Sequence, residues 1–456
     1  MNVHSGVHSA SIYDGLRRPS TSSPRGSSGQ TIGMRQTASS IRSKLLVDVL
    51  VVERVIGKRG QPTRPESPPA LAGLTCAPTS GTQATMCTSP FAHLPFDSDE
   101  RRIESFGRAI DAIAREVEAD LGEKDAAHIA RIGLISRSAE AVGRVLLHFS
   151  IEPFAFGLGV AALWLHKSLE LMEIGHMALH GAYDRFPTAS RYHADVFRWK
   201  APIDEPSWRV AHNVRHHQYT NVEGRDPDMN FGALRLSPRV PHRRAHSLQP
   251  VTNLTSWFGF ATAINLHVTG MLDIYFEGDK PQQLRDKSAE TVRVARQTFF
   301  SKFARYYGRE YAFFPLLAGP FFWKVLLGNI LSEVGRDLYS AAVIYCGHVG
   351  AKDFPSGTRA KGRARWYVMQ VEAARNIEVP HLVSILCGGL DRQIEHHLFP
   401  RLPPNRLREI APRVRAVCEA HGVRYLSKDW FSTLREVMGE LRNLSLPTAV
   451  PLDAVA

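Results

Sequence analysis

Three short histidine clusters are the part of this chain equipped for chemistry. The first is HMALH, with His176 and His180. The second is HNVRHH, with His212, His216 and His217, and the third is QIEHH, with Gln393, His396 and His397. On an α-helix, positions i, i+3 and i+4 share a face. His176 with His180, His212 with His216, and Gln393 with His396 and His397 therefore aim at common points, with His217 a quarter-turn round. Imidazole is a ligand for zinc, copper, iron and nickel. Seven histidines exceed what one tetrahedral zinc uses, so the pattern reads as a dinuclear centre. An all-nitrogen shell with open positions suits iron that handles O2. One HxxxH pair carries little weight alone; three clusters, each beside an apolar stretch, are far more specific.

Other residues are weighed against these. His348 closes the last apolar run and should emerge at the same end as the clusters, which makes it an expected further ligand. Gln393 is a poorer ligand than histidine: it binds weakly, binds through water or orients a neighbour. His148, His166 and His267 lie in apolar runs and read as core or interface residues, whereas His193, His242, His246 and His381 have no spacing partner. Ligating imidazoles usually donate their other N–H to an acceptor. Asp226, Asp228 and Asn230 in GRDPDMN follow the second cluster, Glu173 precedes the first, and Glu395 sits inside the third. Asp226 and Asp228 are the foremost candidates for that task; loop capping or a solvated charge is the plainer alternative for each acid.

The elements that must position these residues are mostly apolar and helical. The chain has 456 residues, 44% of them hydrophobic, with a formal net charge of +12. Residues 1–90 hold ten Lys/Arg against four Asp/Glu in a Ser-, Pro- and Gly-rich setting. They read as a disordered or over-long N-terminal extension, with Met86 as a candidate start and a transit peptide as the alternative. No apolar signal-peptide core is evident there. The basic balance lacks the helix and finger patterns of nucleic-acid binders, and Lys/Arg in cytosolic loops of a membrane protein accounts for it. Five cysteines without a paired spacing imply no disulfide framework.

Residues 91–131 are expected to form cytosolic amphipathic helices, and 132–450 a membrane domain of all-α class. Residues 132–150 and 152–174 form one expected hairpin, and 311–331 and 332–350 a second, about four transmembrane helices in all. Residues 252–274 are expected to lie in the interface rather than cross. That parity puts all three clusters on one face, the cytosolic one, under a helical cap.

The stretch GGLDRQIEHHLFPRLPPNRLREIAP, with HNVRHHQYTN, RDPDMN and HMALH, resembles the membrane fatty acid desaturases, in the branch with glutamine in the third box. The resemblance covers roughly residues 140–435. It implies two iron ions held by His176, His180, His212, His216, His217, His348, His396 and His397, with Gln393 beside them and Asp226, Asp228, Asn230 and Glu395 in support. It also implies O2 as co-substrate and a long-chain fatty acyl substrate in a narrow tunnel. Asp391 stands where the signature often has asparagine. No HPGG haem motif is present, so the expected electron donor is separate: a ferredoxin, a cytochrome or an NAD(P)H-dependent reductase. The nearest rival is a hydroxylase on the same scaffold. A metal-binding membrane transporter would place its histidines inside the spans, and a zinc hydrolase would need neither O2 nor electrons.

Overall fold

The computed structural model describes residues 99–276 and 283–447, all within one compact unit that begins at Thr82. The reading of residues 1–90 therefore lies outside the described residues. The described chain is helical apart from two two-stranded sheets, β1 (Asn230–Phe231) with β2 (Leu234–Arg235), antiparallel, and β3 (Asn376–Glu378) with β4 (Ser427–Asp429), parallel.

Helix α1 (Asp99–Ala119) is amphipathic and buries Phe106, Ile110, Ile113 and Val117, positions spaced to fall on one face. Asp125 accepts from the Gly122 N–H at 3.0 Å and starts α2 (Glu123–Phe149). The sequence reading placed a boundary between soluble and apolar segments at residue 131, but α2 runs through it unbroken. Glu152 caps the first turn of α3 (Pro153–Leu169), which packs back along α2. This gives the first hairpin.

The second hairpin differs from expectation. Residues 322–348 form one continuous helix, α7 (Phe322–His348), with no break at residue 331. Its partner is α6 (Ala289–Tyr307), which continues through a π-helical turn, Gly308–Phe313. The reversal falls at Gly319–Phe321, where Gly319 takes a positive φ and Pro320 cannot extend the preceding helix. Residues 252–274 are likewise split, into α4 (Gln249–Phe258), α5 (Phe260–Val268) and the single turn Met271–Tyr275, with breaks at Gly259 and Gly270.

The expected run of four apolar spans needs correction in one respect: no described helix is long and apolar enough to cross a membrane. Length falls short for α3, at 17 residues, but not for α2 or α7, whose 27 residues extend about 40 Å. The reason is the ionisable residues threaded through these helices. Some, such as Arg131 and Arg137 on α2, are exposed, but a central set is paired inside the bundle. Lys167 lies 2.6 Å from Glu333 and 3.3 Å from Glu310, Arg144 lies 2.9 Å from Glu310, and Arg336 pairs with Asp337 at 2.8 Å and with Glu333.

Around this bundle sit α8 (Arg363–Glu372), α9 (Gln393–Leu398), α10 (Pro404–Ala420) and α11 (Trp430–Leu444). The buried guanidinium of Arg406 on α10 reaches Asp125 at 2.6 Å and ties the C-terminal cap to the start of α2. Gly388, just ahead of the third histidine cluster, has φ +64°, and a Cβ there would stand 2.4 Å from the Met172 carbonyl carbon. That contact presses the third cluster against the first. Gly388→Ala is therefore expected to lower stability by more than about 2 kcal/mol, from left-handed strain plus backbone collision. Thermal unfolding of the purified variant beside wild type checks it.

Candidate metal centre

The first cluster does not sit on a plain α-helix. Helix α3 loosens into a π-helical turn, Glu170–His176, before Met177–Leu179, and the second cluster ends another, Arg209–His216. Such turns recur at functional sites. A π-turn takes more residues per revolution, so it changes which histidines meet. His212 was expected to pair with His216. The two rings do stack, with centroids 5.1 Å apart, and share a ligand-sized group with Asp228, but the Nε2 of His212 also lies 3.2 Å from that of His217, five residues on, and 3.3 Å from that of His176.

The structure gathers all the expected histidines into one buried centre with two foci. His176, His180, His212 and His396 each offer a nitrogen within 4.8 Å of the others, and His216, His348 and His397 form a second such group. His217 lies between the foci. Its ring stacks on His397 at 4.3 Å and meets His180 edge-on at 4.7 Å. The carboxamide nitrogen of Gln393 stands 2.8 Å from His348 Nε2 and 3.3 Å from His397 Nε2, so this side chain faces the second focus.

The donor set fits metal ions. Two nitrogens each about 2.1 Å from one ion stand about 3.0–3.4 Å apart at angles near 90–110°, the spacing seen at His212. His180 Nε2 and His396 Nε2 are buried without a hydrogen-bond partner, a state that an ion would relieve. Burial, reinforced by neighbouring imidazoles, holds His212, His217, His396 and His397 well below the ordinary histidine range. They are neutral there, which is the form that ligates.

The outer nitrogens of the second focus are held by the fold. His216 Nδ1 faces both oxygens of Asp226, at 3.1 and 3.0 Å, with Asp228 at 3.5 Å. Burial opposes the charged form of His216, but the two carboxylates outweigh it and lift the group to about 9. Asp226 also accepts from the backbone N–H groups of Asn221 and Asp228, at 2.8 and 2.9 Å. His348 Nδ1 donates to the Ala373 carbonyl at 3.0 Å, and His397 Nδ1 lies 3.0 Å from Gln370 Oε1.

The remaining expected acids divide. Glu395 does not face a histidine. It accepts from Asn376 and Tyr425, each at 2.8 Å, and so locks α9 to the cap, while burial raises it to about 7. Glu173 is drawn away to His128, at 2.9 Å. Asn230 closes the Pro227–Met229 turn and opens β1 opposite Arg235. Its observed place is in the loop that carries Asp226 and Asp228.

Four residues at the centre escaped the sequence reading. Trp208 stacks on His212 at 4.4 Å, and Thr220 bonds the His216 carbonyl at 2.9 Å and lies 3.2 Å from His397 Nδ1. Both are four residues from a histidine, so the same i, i+4 rule would have found them. Gln370 and His267 have no such signal. His267, assigned to the core, is buried but touches Asp228 at 3.1 Å.

A helical fold that converges eight imidazoles on two foci defines a protein with a histidine-rich site compatible with metal ions. The comparisons give the particular family: residues 151–429 match the family model described as "Fatty acid desaturase". The chain is 34% identical over 364 residues to the NADPH-dependent stearoyl-CoA 9-desaturase of Mycobacterium tuberculosis, covering 78% of this chain and 82% of that protein. It is 25% identical over 273 residues to a sn-1 linoleoyl-lipid 6-desaturase of Synechocystis, covering 59% and 74%. It is also 25% identical over 333 residues to a Delta(5) fatty acid desaturase of Caenorhabditis elegans, covering 68% and 69%. The chain belongs to the fatty acid desaturase family, and it is an acyl desaturase, an oxidoreductase of lipid metabolism.

Asp226→Asn keeps one acceptor for His216 and removes the charge. Loss of such a partner typically costs 10- to 100-fold in metal affinity or activity. A drop of about that size is expected in both, read by metal analysis of the purified protein and by turnover.

Proposed function

We propose that the chain is an O2-dependent desaturase of long-chain acyl thioesters that holds two iron ions. His176, His180, His212 and His396 serve one ion, His216, His348 and His397 the other, and His217 stands between them. The convergence of buried imidazole nitrogens on two foci is the observation that carries this reading. Bound there, iron would supply the O2 chemistry that removes two hydrogens from adjacent methylenes, with two electrons and two protons balancing the reduction of O2 to water.

The protein's own residues do the rest. Asp226, with Asp228, orients His216 and makes it a stronger donor; Ala373 and Gln370 do the same for His348 and His397. Gln393 stands at the second focus as a weak ligand or an orienting group. Burial of the histidines excludes bulk water from the reacting atoms.

The greater similarity to the stearoyl-CoA 9-desaturase than to the 5- and 6-desaturases favours a saturated acyl-CoA that gains its double bond at carbon 9. That relative's name also favours a donor system fed by NADPH.

Membrane residence belongs to the same proposal. Val142, Val145, Phe149 and Phe154 on α2 and α3, with Leu316, Phe321, Trp323 and Leu327 at the α7 reversal, are large apolar side chains turned outward. So extensive an apolar exterior fits acyl chains better than water. The mutual pairing of the buried charges is how ionisable groups are accommodated in such a setting. Arg- and Lys-rich loops favour placing the histidine centre on the cytosolic side.

Expression in a host with a simple fatty acid profile, with wild type beside His396→Ala, tests the function. The expected result is a new cis-monounsaturated acid with wild type only, its double bond located by derivatisation and mass spectrometry. A hydroxy acid would move the assignment to a hydroxylase. No new lipid from iron-loaded protein supplied with a reductase would remove acyl chains as substrate.

A further inference from the structure

We infer that His267 is a positioning residue for the second focus: its hydrogen bond to Asp228 holds that carboxylate against His216. The inference rests on the metal-centre reading above. His267 lies on α5, outside every histidine cluster, and is buried. Its Nε2 stands 3.1 Å from Asp228 Oδ1, while the other oxygen of Asp228 faces His216 Nδ1 at 3.5 Å. A carboxylate only accepts, so His267 carries its proton on Nε2 and donates it. The ring plane is fixed by stacking on Phe231, with centroids 3.9 Å apart. The carboxamide nitrogen of Gln283 lies 3.2 Å from the same ring nitrogen but is itself a donor, its oxygen accepting from Arg215 at 3.0 Å, so Asp228 is the acceptor for the His267 proton.

The two aspartates differ in what holds them. Asp226 is deeply buried and pinned by two backbone N–H groups in addition to His216. The Asp228 side chain keeps 30% of its exposure. Without His267 it is free to turn to water, leaving His216 with one carboxylate instead of two. His267 thus acts through Asp228 on a ligand, not on the substrate.

The test uses the full-length chain in detergent, loaded with Co(II) as probe and titrated against a chelator, with the visible spectrum and metal analysis as readouts. His267→Leu removes the donor, and His267→Gln keeps an N–H in reach of Asp228. The expected result is that His267→Leu weakens one of two bound ions by about 10- to 100-fold and changes its spectrum, while the other ion is untouched. His267→Gln should lie close to wild type. In an Asp228→Ala background, His267→Leu should cost nothing further, since the two residues act as one unit. Wild-type affinity for both ions in His267→Leu overturns the inference. Equal loss in His267→Leu and His267→Gln also overturns it, because packing of the ring rather than its hydrogen bond would then matter. A wild-type chain that takes up fewer than two ions would instead fail the centre itself, separating that failure from this one.

Discussion

Eight imidazoles brought together away from water are the constraint to which the rest of the molecule answers. A buried polar nitrogen without a partner costs roughly 1–3 kcal/mol, and protonating the cluster is worse, because like charges would be packed a few ångströms apart. The fold meets this in two ways. Inner nitrogens face one another across spaces of metal-ion size. Outer nitrogens of the second focus are given acceptors: Asp226 and Asp228 for His216, a backbone carbonyl for His348, Gln370 for His397. The two foci are not equivalent. The second is fully tied down, whereas at the first the outer nitrogens of His176 and His396 have no hydrogen-bond partner.

Convergence of this kind demands local backbone departures. The π-turns ending at His176 and His216 change the angular step between neighbouring side chains, and so split the second cluster between the two foci. Gly388 lets the chain ahead of the third cluster touch the backbone of the first, closer than any side chain allows. Helix α9 is then fastened from the other side by Glu395, Asn376 and Tyr425. Each device costs regular helix geometry and returns a placement that a straight helix cannot reach.

The same tension between apolar setting and polar content runs through the helices below the centre. Their outward faces are apolar, yet Lys167, Glu310, Glu333, Arg336 and Asp337 are buried among them and Arg144 is half-buried beside them. Within this set three cations and three carboxylates pair off, so each charge has a partner of opposite sign. A hydropathy window sees only that charges interrupt the segments, whereas the structure shows them turned inward and matched.

How much of this was legible beforehand follows from the range of the interactions. The three clusters, His348 and the Asp226–Asp228 loop could be picked out because ligand chemistry is written in residue type and short spacing. The helical class and the first hairpin followed from apolar runs bounded by Glu152–Pro153. The second hairpin was misplaced because its turn depends on Gly319 and Pro320 lying inside an otherwise apolar stretch, where hydropathy alone is blind to the break. His267 and Gln370 could not be found at all, since neither is near a cluster in sequence and each acts through a contact that only packing creates. Glu173 and Glu395 were near in sequence but were claimed by His128, Asn376 and Tyr425. The sequence by itself therefore determined which groups are equipped to bind a metal and what class of ion would suit them. Tertiary structure alone decided which nitrogens share a focus, which acids support them and which are spent elsewhere, because those depend on helix winding and long-range packing that no local pattern records.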